Sequence, residues 1–134
     1  MKILLDTHIL LWALTDDPKL PQKARELILD PANQLYFSTI SVWEVELKRL
    51  AHPKQMPLTA ASLIRFTEIA GYRQITLKTS HICRLAALRR DDTAPIHKDP
   101  FDRILICQAL EEGMMFLTHD PLLAGYLVPS VFLV

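Results

Sequence analysis

The chain has 134 residues, half of them hydrophobic and 22% charged, and its 15 basic and 15 acidic side chains balance to a formal net charge of zero. That length suits one domain able to bury about two thirds of the surface of its unfolded chain, and the composition excludes a disordered protein. Zero net charge does not exclude a nucleic-acid partner, but any attraction to phosphate must come from local clusters or bound metal, and little charge opposes self-association.

Residues 3–5 form a short apolar strand that stops at Asp6, and a helical segment follows from about residue 9. Pro21 opens a second helix, QKARELILD, with Ala24, Leu27 and Ile28 at helical spacing. Residues 35–38 read as a strand, residues 41 to about 50 as a helix, and 51–57 as a Pro-punctuated loop. Thr59 caps a helix running to Gly71, with Gly in its usual place just past the end. Residues 74–77 are strand-like, and Ser80 starts a helix whose Ile82, Leu85, Ala86 and Leu88 share one face. The polar segment RRDDTAPIHK, residues 89–98, reads as a loop over the edge of the sheet. A helix opens at Asp99-Pro100 and ends at Gly113; a strand over 115–117, a short helix over 121–126 and a strand over 131–134 complete the chain. Strands alternating with helices imply βαβ crossovers, hence an α/β, three-layer fold with a mainly parallel central sheet flanked by helices, one domain spanning 1–134.

The amino terminus, MKILLDTHILLW, has its apolar run broken by Asp6 and His8 and lacks a small-residue cleavage site, so it does not read as a signal peptide. No stretch reaches the roughly 18 apolar residues of a membrane span. The two cysteines, Cys83 and Cys107, fall in helical segments without C-x-x-C or zinc-finger spacing, which predicts buried free thiols and a cytoplasmic, reducing location.

Five acids carry the strongest clue: Asp6, Glu44, Asp99, Asp102 and Asp120 each fall where a strand ends or a helix begins. In a parallel α/β sheet those junctions gather along the carboxyl edge, where ligand sites form. Each acid also has a plain explanation. Asp6, Asp99 and Asp120 suit helix caps, Ser41 and Glu44 have the spacing of a capping box, and Asp102 sits in a first turn where the helix dipole favours an anion. Together, however, carboxylates within reach of one another repel unless a cation neutralises them, and an all-oxygen set suits Mg²⁺ or Mn²⁺. Such an ion can activate water in line with a phosphorus atom, so the chain needs no protein nucleophile. None is apparent, and three glycines leave no Walker loop and no G-x-G-x-x-G turn.

At these residues the chain resembles a PIN domain, specifically the VapC-like toxins of bacterial toxin–antitoxin pairs. The resemblance rests on LLDTHILLW at 4–12, SVWEVELKR at 41–49, HKDPFDRILICQALEEG at 97–113 and FLTHDPLL at 116–123. It implies that Asp6, Glu44, Asp102 and Asp120 form a catalytic Mg²⁺ or Mn²⁺ site, with Asp99 a second ligand or only a cap. It further implies that Thr7 and Thr118 support the acids through hydrogen bonds; His119 stands where the family often has Arg or Lys. The implied activity is a metal-dependent endoribonuclease that arrests growth, a homodimer neutralised by a small cognate antitoxin.

Arg103 could hold an RNA phosphate or pair with a site carboxylate. Lys48, Arg49, Arg89, Arg90 and Lys98 are candidates for an RNA rim, although solvated helix ends and loops explain them equally well. Trp12 and Trp43 are expected to pack in the core or at an interface rather than stack on bases. His8, His81 and His97 lack metal-ligand spacing and read as structural or supporting residues. Two further functional readings stay open: an RNA-processing PIN nuclease without a toxin role, and a non-catalytic RNA- or partner-binding module. A haloacid-dehalogenase-type phosphatase needs D-x-D after the first strand, where this chain has Asp6-Thr7-His8.

Overall fold

A computed structural model describes all residues, 1–134. Five strands, β1 (Lys2–Leu5), β2 (Gln34–Ser38), β3 (Arg73–Ile75), β4 (Met115–Thr118) and β5 (Val131–Leu133), form one sheet in the order β3-β2-β1-β4-β5. Every pairing is parallel. The helices are α1 (Thr7–Leu14), α2 (Gln22–Leu29), α3 (Thr39–Ala51), α4 (Ala60–Ala70), α5 (Thr79–Cys83) and α6 (Pro100–Glu111), with 3₁₀ turns at Arg84–Ala87 and Pro121–Gly125.

Parallel strands are buried on both faces, and the period-2 alternation of side chains sorts them between two cores. Ile3 and Leu5 of β1 and Leu117 of β4 pack with Ile9, Leu10, Val45 and Leu63 on one side. Leu4 and Phe116 pack with Ile104, Leu105, Ile106 and Ala109 of α6 on the other. Each fully buried Leu, Ile or Phe contributes about 1.5–3 kcal/mol on leaving water, so the two cores press the helices onto the sheet. The three-layer α/β reading is therefore realised.

The chain runs from β1 outward through β2 to β3, then returns to place β4 on the other side of β1. The carboxyl ends of β1 and β4 flank this reversal, where open α/β sheets hold ligands. Asp6 follows β1 directly and its N–H donates to the Leu117 carbonyl at 2.9 Å, tying the two strand ends together.

Several local expectations are corrected. Helix α3 begins at Thr39, capped by Ser38, whose hydroxyl accepts from the Ile40 N–H at 3.0 Å; Ser41 and Glu44 are thus interior helical residues and not a capping box. Helix α1 begins at Thr7 with Asp6 as its cap, and β3 ends at Ile75. The helix expected from Ser80 is a five-residue α5 followed by a 3₁₀ turn, which leaves Ile82 and Ala86 exposed and buries His81 and Leu88. Thr59 and Gly71 do bound α4, Gly71 in the left-handed conformation at φ 78° that favours glycine. Cys107 is buried, but Cys83, at the end of the short α5, is exposed. No helix is long and apolar enough to cross a membrane.

Candidate active site

All five acids line a single cleft of 260 Å³, together with His8, Leu47, Lys48 and Phe101. Asp6 and Asp120 come from the ends of β1 and β4, Glu44 from the second turn of α3, and Asp99 and Asp102 from the start of α6. The capping roles and the clustering are both present. Asp6 Oδ1 accepts from the Thr7 N–H at 2.7 Å, Asp99 Oδ1 from Phe101 and Asp102 N–H at 2.9 and 3.2 Å, and Asp120 Oδ1 from Leu122 N–H at 2.9 Å. Because helix amino termini on one sheet edge converge, side chains that cap them are brought together by the same geometry.

Two threonines orient the acids. The Thr118 hydroxyl donates to Asp6 Oδ2 at 2.6 Å and accepts from the Asp120 N–H at 3.1 Å, so one buried side chain serves two acids. The Thr7 hydroxyl donates to Glu44 Oε1 at 2.8 Å. With that proton committed, the 2.9 Å contact between Thr7 and Ser41 must be a donation from Ser41.

His97 belongs to the same cluster, a role for which the sequence gives no spacing signal. Its Nε2 lies 3.1 Å from Asp102 Oδ2 and its Nδ1 2.6 Å from the Tyr126 hydroxyl. One ligand atom from each of His97, Asp102 and Asp120 falls within 4.8 Å of the others. Burial and the nearby Arg90 guanidinium push the His97 pKa below 6.5, which keeps the ring neutral. A neutral ring fits both bonds, Nε2–H donating to the carboxylate and Nδ1 accepting from tyrosine.

The cleft is electrostatically unbalanced. Burial, followed by the charges of Asp6, Asp99, Glu44 and Asp120, pushes the Asp102 pKa from 3.8 up to about 8. Asp6 is also raised, chiefly by burial, against its bonds from Thr118 and Thr7. The one compensating cation within 4.0 Å is Lys48, 3.6 Å from Glu44; no Lys or Arg pairs with Asp6, Asp99, Asp102 or Asp120. An all-oxygen, under-neutralised set of carboxylates fits a hard divalent cation.

The expected RNA rim is only partly available. Arg49 Nη1 donates to the carbonyls of Met56 and Pro53 at 2.9 and 3.4 Å and so braces the loop after α3. Arg89 Nη1 donates to the Ala86 carbonyl at 2.7 Å. Arg90 is committed within the fold, donating to the Pro95 and Leu122 carbonyls at 2.8 and 2.7 Å with its guanidinium 4.8 Å from the Tyr126 ring centre. It thereby buttresses the tyrosine that holds His97. Lys98 is exposed, and the half-buried Arg103 makes no ion pair. Trp43 is 56% exposed, outside the core, and meets Phe101 of the cleft lining edge to face at 5.1 Å.

Fold and cleft together define a class: an α/β protein with a carboxylate site at the carboxyl edge of a parallel sheet. The sequence profile described as PIN domain matches residues 3–125, and the chain belongs to that family. No curated protein sequence matches it significantly. Among solved structures it is similar in fold to VapBC2 from Rickettsia felis bound to a promoter DNA fragment, with TM-score 0.63 and 15% identity over 100% of this chain and 98% of that one. A toxin–antitoxin complex from Klebsiella pneumoniae aligns with TM-score 0.61 and 18% identity over 97% and 95% of the two chains. DNA-bound VapBC from Salmonella typhimurium aligns with TM-score 0.61 and 16% identity over 100% and 97%.

Proposed function

We propose that the chain is a divalent-metal-dependent endoribonuclease acting as the toxin of a toxin–antitoxin pair. The observation that carries this reading is the cleft of five carboxylates in which Asp102 is pushed to about 8 while a single lysine offers compensation. Membership in the PIN family and the likeness of fold to toxin–antitoxin complexes support it.

In this reading Asp6, Glu44, Asp102 and Asp120 hold Mg²⁺ or Mn²⁺, and Asp99 adds an oxygen beyond the one it uses as a cap. The bound ion supplies charge neutralisation and a more acidic water for attack on a phosphodiester. The chain's own residues hold the site in shape: Thr118 sets Asp6, Thr7 sets Glu44, and His97 sets Asp102. Oriented carboxylates of this kind can take the proton of an attacking water. Lys48, beside Glu44 and half exposed, is the rim cation best placed to meet an RNA phosphate, with Lys98 and Arg103 as secondary contacts.

The proposed partners are RNA, a small cognate antitoxin and a second copy of this chain, acting in the cytoplasm. The exposed stripe Trp43, Leu47 and Leu50 on α3 is apolar surface for an assembly partner.

The deciding experiment incubates the purified protein with total RNA in Mn²⁺, Mg²⁺ or EDTA beside Asp6→Asn and Asp102→Asn. Discrete metal-dependent cleavage, reduced roughly a hundredfold or more in both folded variants, is the expected result. RNA left intact under every metal by antitoxin-free protein would refute the nuclease. Growth arrest on expression, relieved by a neighbouring small protein, separates a toxin from an RNA-processing enzyme.

A further inference from the structure

We infer that the outer face of α1 is a stacking subsite for an unpaired RNA base next to the scissile phosphate. The inference rests on the nuclease reading for its substrate class but makes a separate claim about Trp12.

His8 and Trp12 lie one helical turn apart on α1, with ring centres 5.9 Å apart. His119, from the end of β4, meets Trp12 edge to face at 5.6 Å. The three rings surround a pocket mouth shared with Asp6 and Asp120. Trp12 packs partly on the core, so its position is set, while His8 and His119 are exposed. His119 is further held by a 2.6 Å hydrogen bond between its Nδ1 and the Val134 carbonyl. These are rings oriented by the fold and open to solvent, beside the acids.

A groove of 380 Å³ continues from this platform between α1 and the end of α3, lined by Trp12, Lys19, Lys48 and His52. His8 and Lys48 line both this groove and the acid cleft, so the two adjoin. Asp17 also lines it, with Oδ1 accepting from the Lys19 N–H at 2.9 Å. The volume lies in the small-ligand range of about 300–1,000 Å³. Cations for backbone phosphate alternating with aromatic faces for bases are the combination that binds single strands without sequence preference. A duplex offers no free base face, which restricts the subsite to unpaired RNA. Adjacency to the acids favours the strand being cut over a peptide, because a nucleotide bound at the acids must send its neighbour along one of the adjoining surfaces.

The test uses the full chain with Trp43→Phe, so that Trp12 is the sole tryptophan, and with Asp102→Asn to suppress cleavage. A short single-stranded RNA of mixed sequence, titrated in Mg²⁺, should quench Trp12 emission saturably, and the same sequence as a duplex should not. Trp12→Leu should weaken binding roughly ten- to hundredfold while Trp12→Phe retains most of it. Because Trp12→Leu can perturb folding, the quench at the native Trp12 is the primary readout. Single-stranded RNA that fails to bind, or binds with unchanged Trp12 emission, overturns the inference. So does quenching by a co-encoded small protein but not by RNA, which assigns the groove to a peptide. Cleavage by the unsubstituted chain is scored in parallel. Quenching without cleavage keeps the stacking site and discards the nuclease; cleavage with silent Trp12 does the reverse.

Discussion

The His97 ring bridges Asp102 and Tyr126, its Nε2 3.1 Å from Asp102 Oδ2 and its Nδ1 2.6 Å from the tyrosine hydroxyl. Tyr126 is in turn packed against the Arg90 guanidinium, itself held by two backbone carbonyls. Orientation of Asp102 is thus delegated along a chain of buried groups that reaches into the loop before α6. Such outer partners typically control metal affinity or activity by about 10–100-fold. His97→Ala is expected to lower both Mn²⁺ affinity, measured by titration calorimetry, and cleavage by that order, while Tyr126→Phe causes a smaller loss. Unchanged Mn²⁺ affinity in folded His97→Ala would remove the histidine from the site.

The raised Asp102 pKa gives a pH dependence of defined sign. Its folded value of about 8 lies above the ordinary 3.8, so the native state binds the proton more tightly than the unfolded chain. The associated stability is fully present below pH 3.8 and is lost as pH rises through about 8. His97 is lowered from 6.5 and acts oppositely, destabilising on acidification, whereas Asp6, also raised by burial, adds to the Asp102 effect, so the Asp102→Asn comparison separates the two acids. Metal-free protein should lose on the order of 5 °C in Tm between neutral and mildly alkaline pH, and Asp102→Asn should flatten that slope. Added Mg²⁺ should stabilise more at the alkaline end, since it needs the ionised carboxylate. A metal-free Tm that rises with pH would contradict the assignment.

Thr118 is fully buried and donates to Asp6 at 2.6 Å while accepting from the Asp120 N–H. Thr118→Val keeps the shape but leaves a buried carboxylate oxygen and a backbone N–H without that partner. The expected cost is about 1–3 kcal/mol in urea unfolding, with Thr118→Ser close to the native value. Equal stability of the Val and native proteins would show that the hydroxyl is dispensable.

Gly125 gives a steric prediction. A Cβ there would lie 2.7 Å from Arg90 Cζ and Nη1 and 2.8 Å from Ala94 Cβ. Arg90 is pinned on both sides and has little room to yield, so Gly125→Ala should cost about 1–3 kcal/mol by overpacking. Removing the arginine side chain relieves the overlap with Arg90 and leaves that with Ala94. Gly125→Ala with Arg90→Ala should therefore lose less stability than the two single substitutions summed, a non-additivity that denaturant titration resolves.

Much of the fold and most of the acid site were legible in the chain because their causes are local. Short apolar runs placed the strands of the sheet, and Thr59 with Gly71 marked the ends of α4 because caps act within one turn. The acids could be singled out because Asp6, Asp99 and Asp120 cap the very helices and turns that begin at the sheet edge. The resemblance that named four of them rested on the same short segments.

What was misread or missed depends on partners distant in sequence. The S-x-x-E spacing suggested a cap at Ser41, yet Ser38 is the cap, its hydroxyl also donating to Gln108 on α6 at 2.6 Å. Trp43 lies outside the core, which leaves the interface alternative, and Cys83, which reads as a buried thiol, is free to solvent because α5 stops there. Arg90, one of several candidates for an RNA rim, is a buttress for Tyr126. The sequence by itself determined the order of strands and helices, the ends of α4 and the capping acids Asp6, Asp99 and Asp120, since those choices depend on neighbours within a turn. Only the tertiary structure decided that Thr118 meets Asp6, that His97 meets Asp102 and Tyr126, and that His8, Trp12 and His119 share one mouth. Those contacts arise where sheet order and helix packing bring separated segments together, which no local pattern encodes.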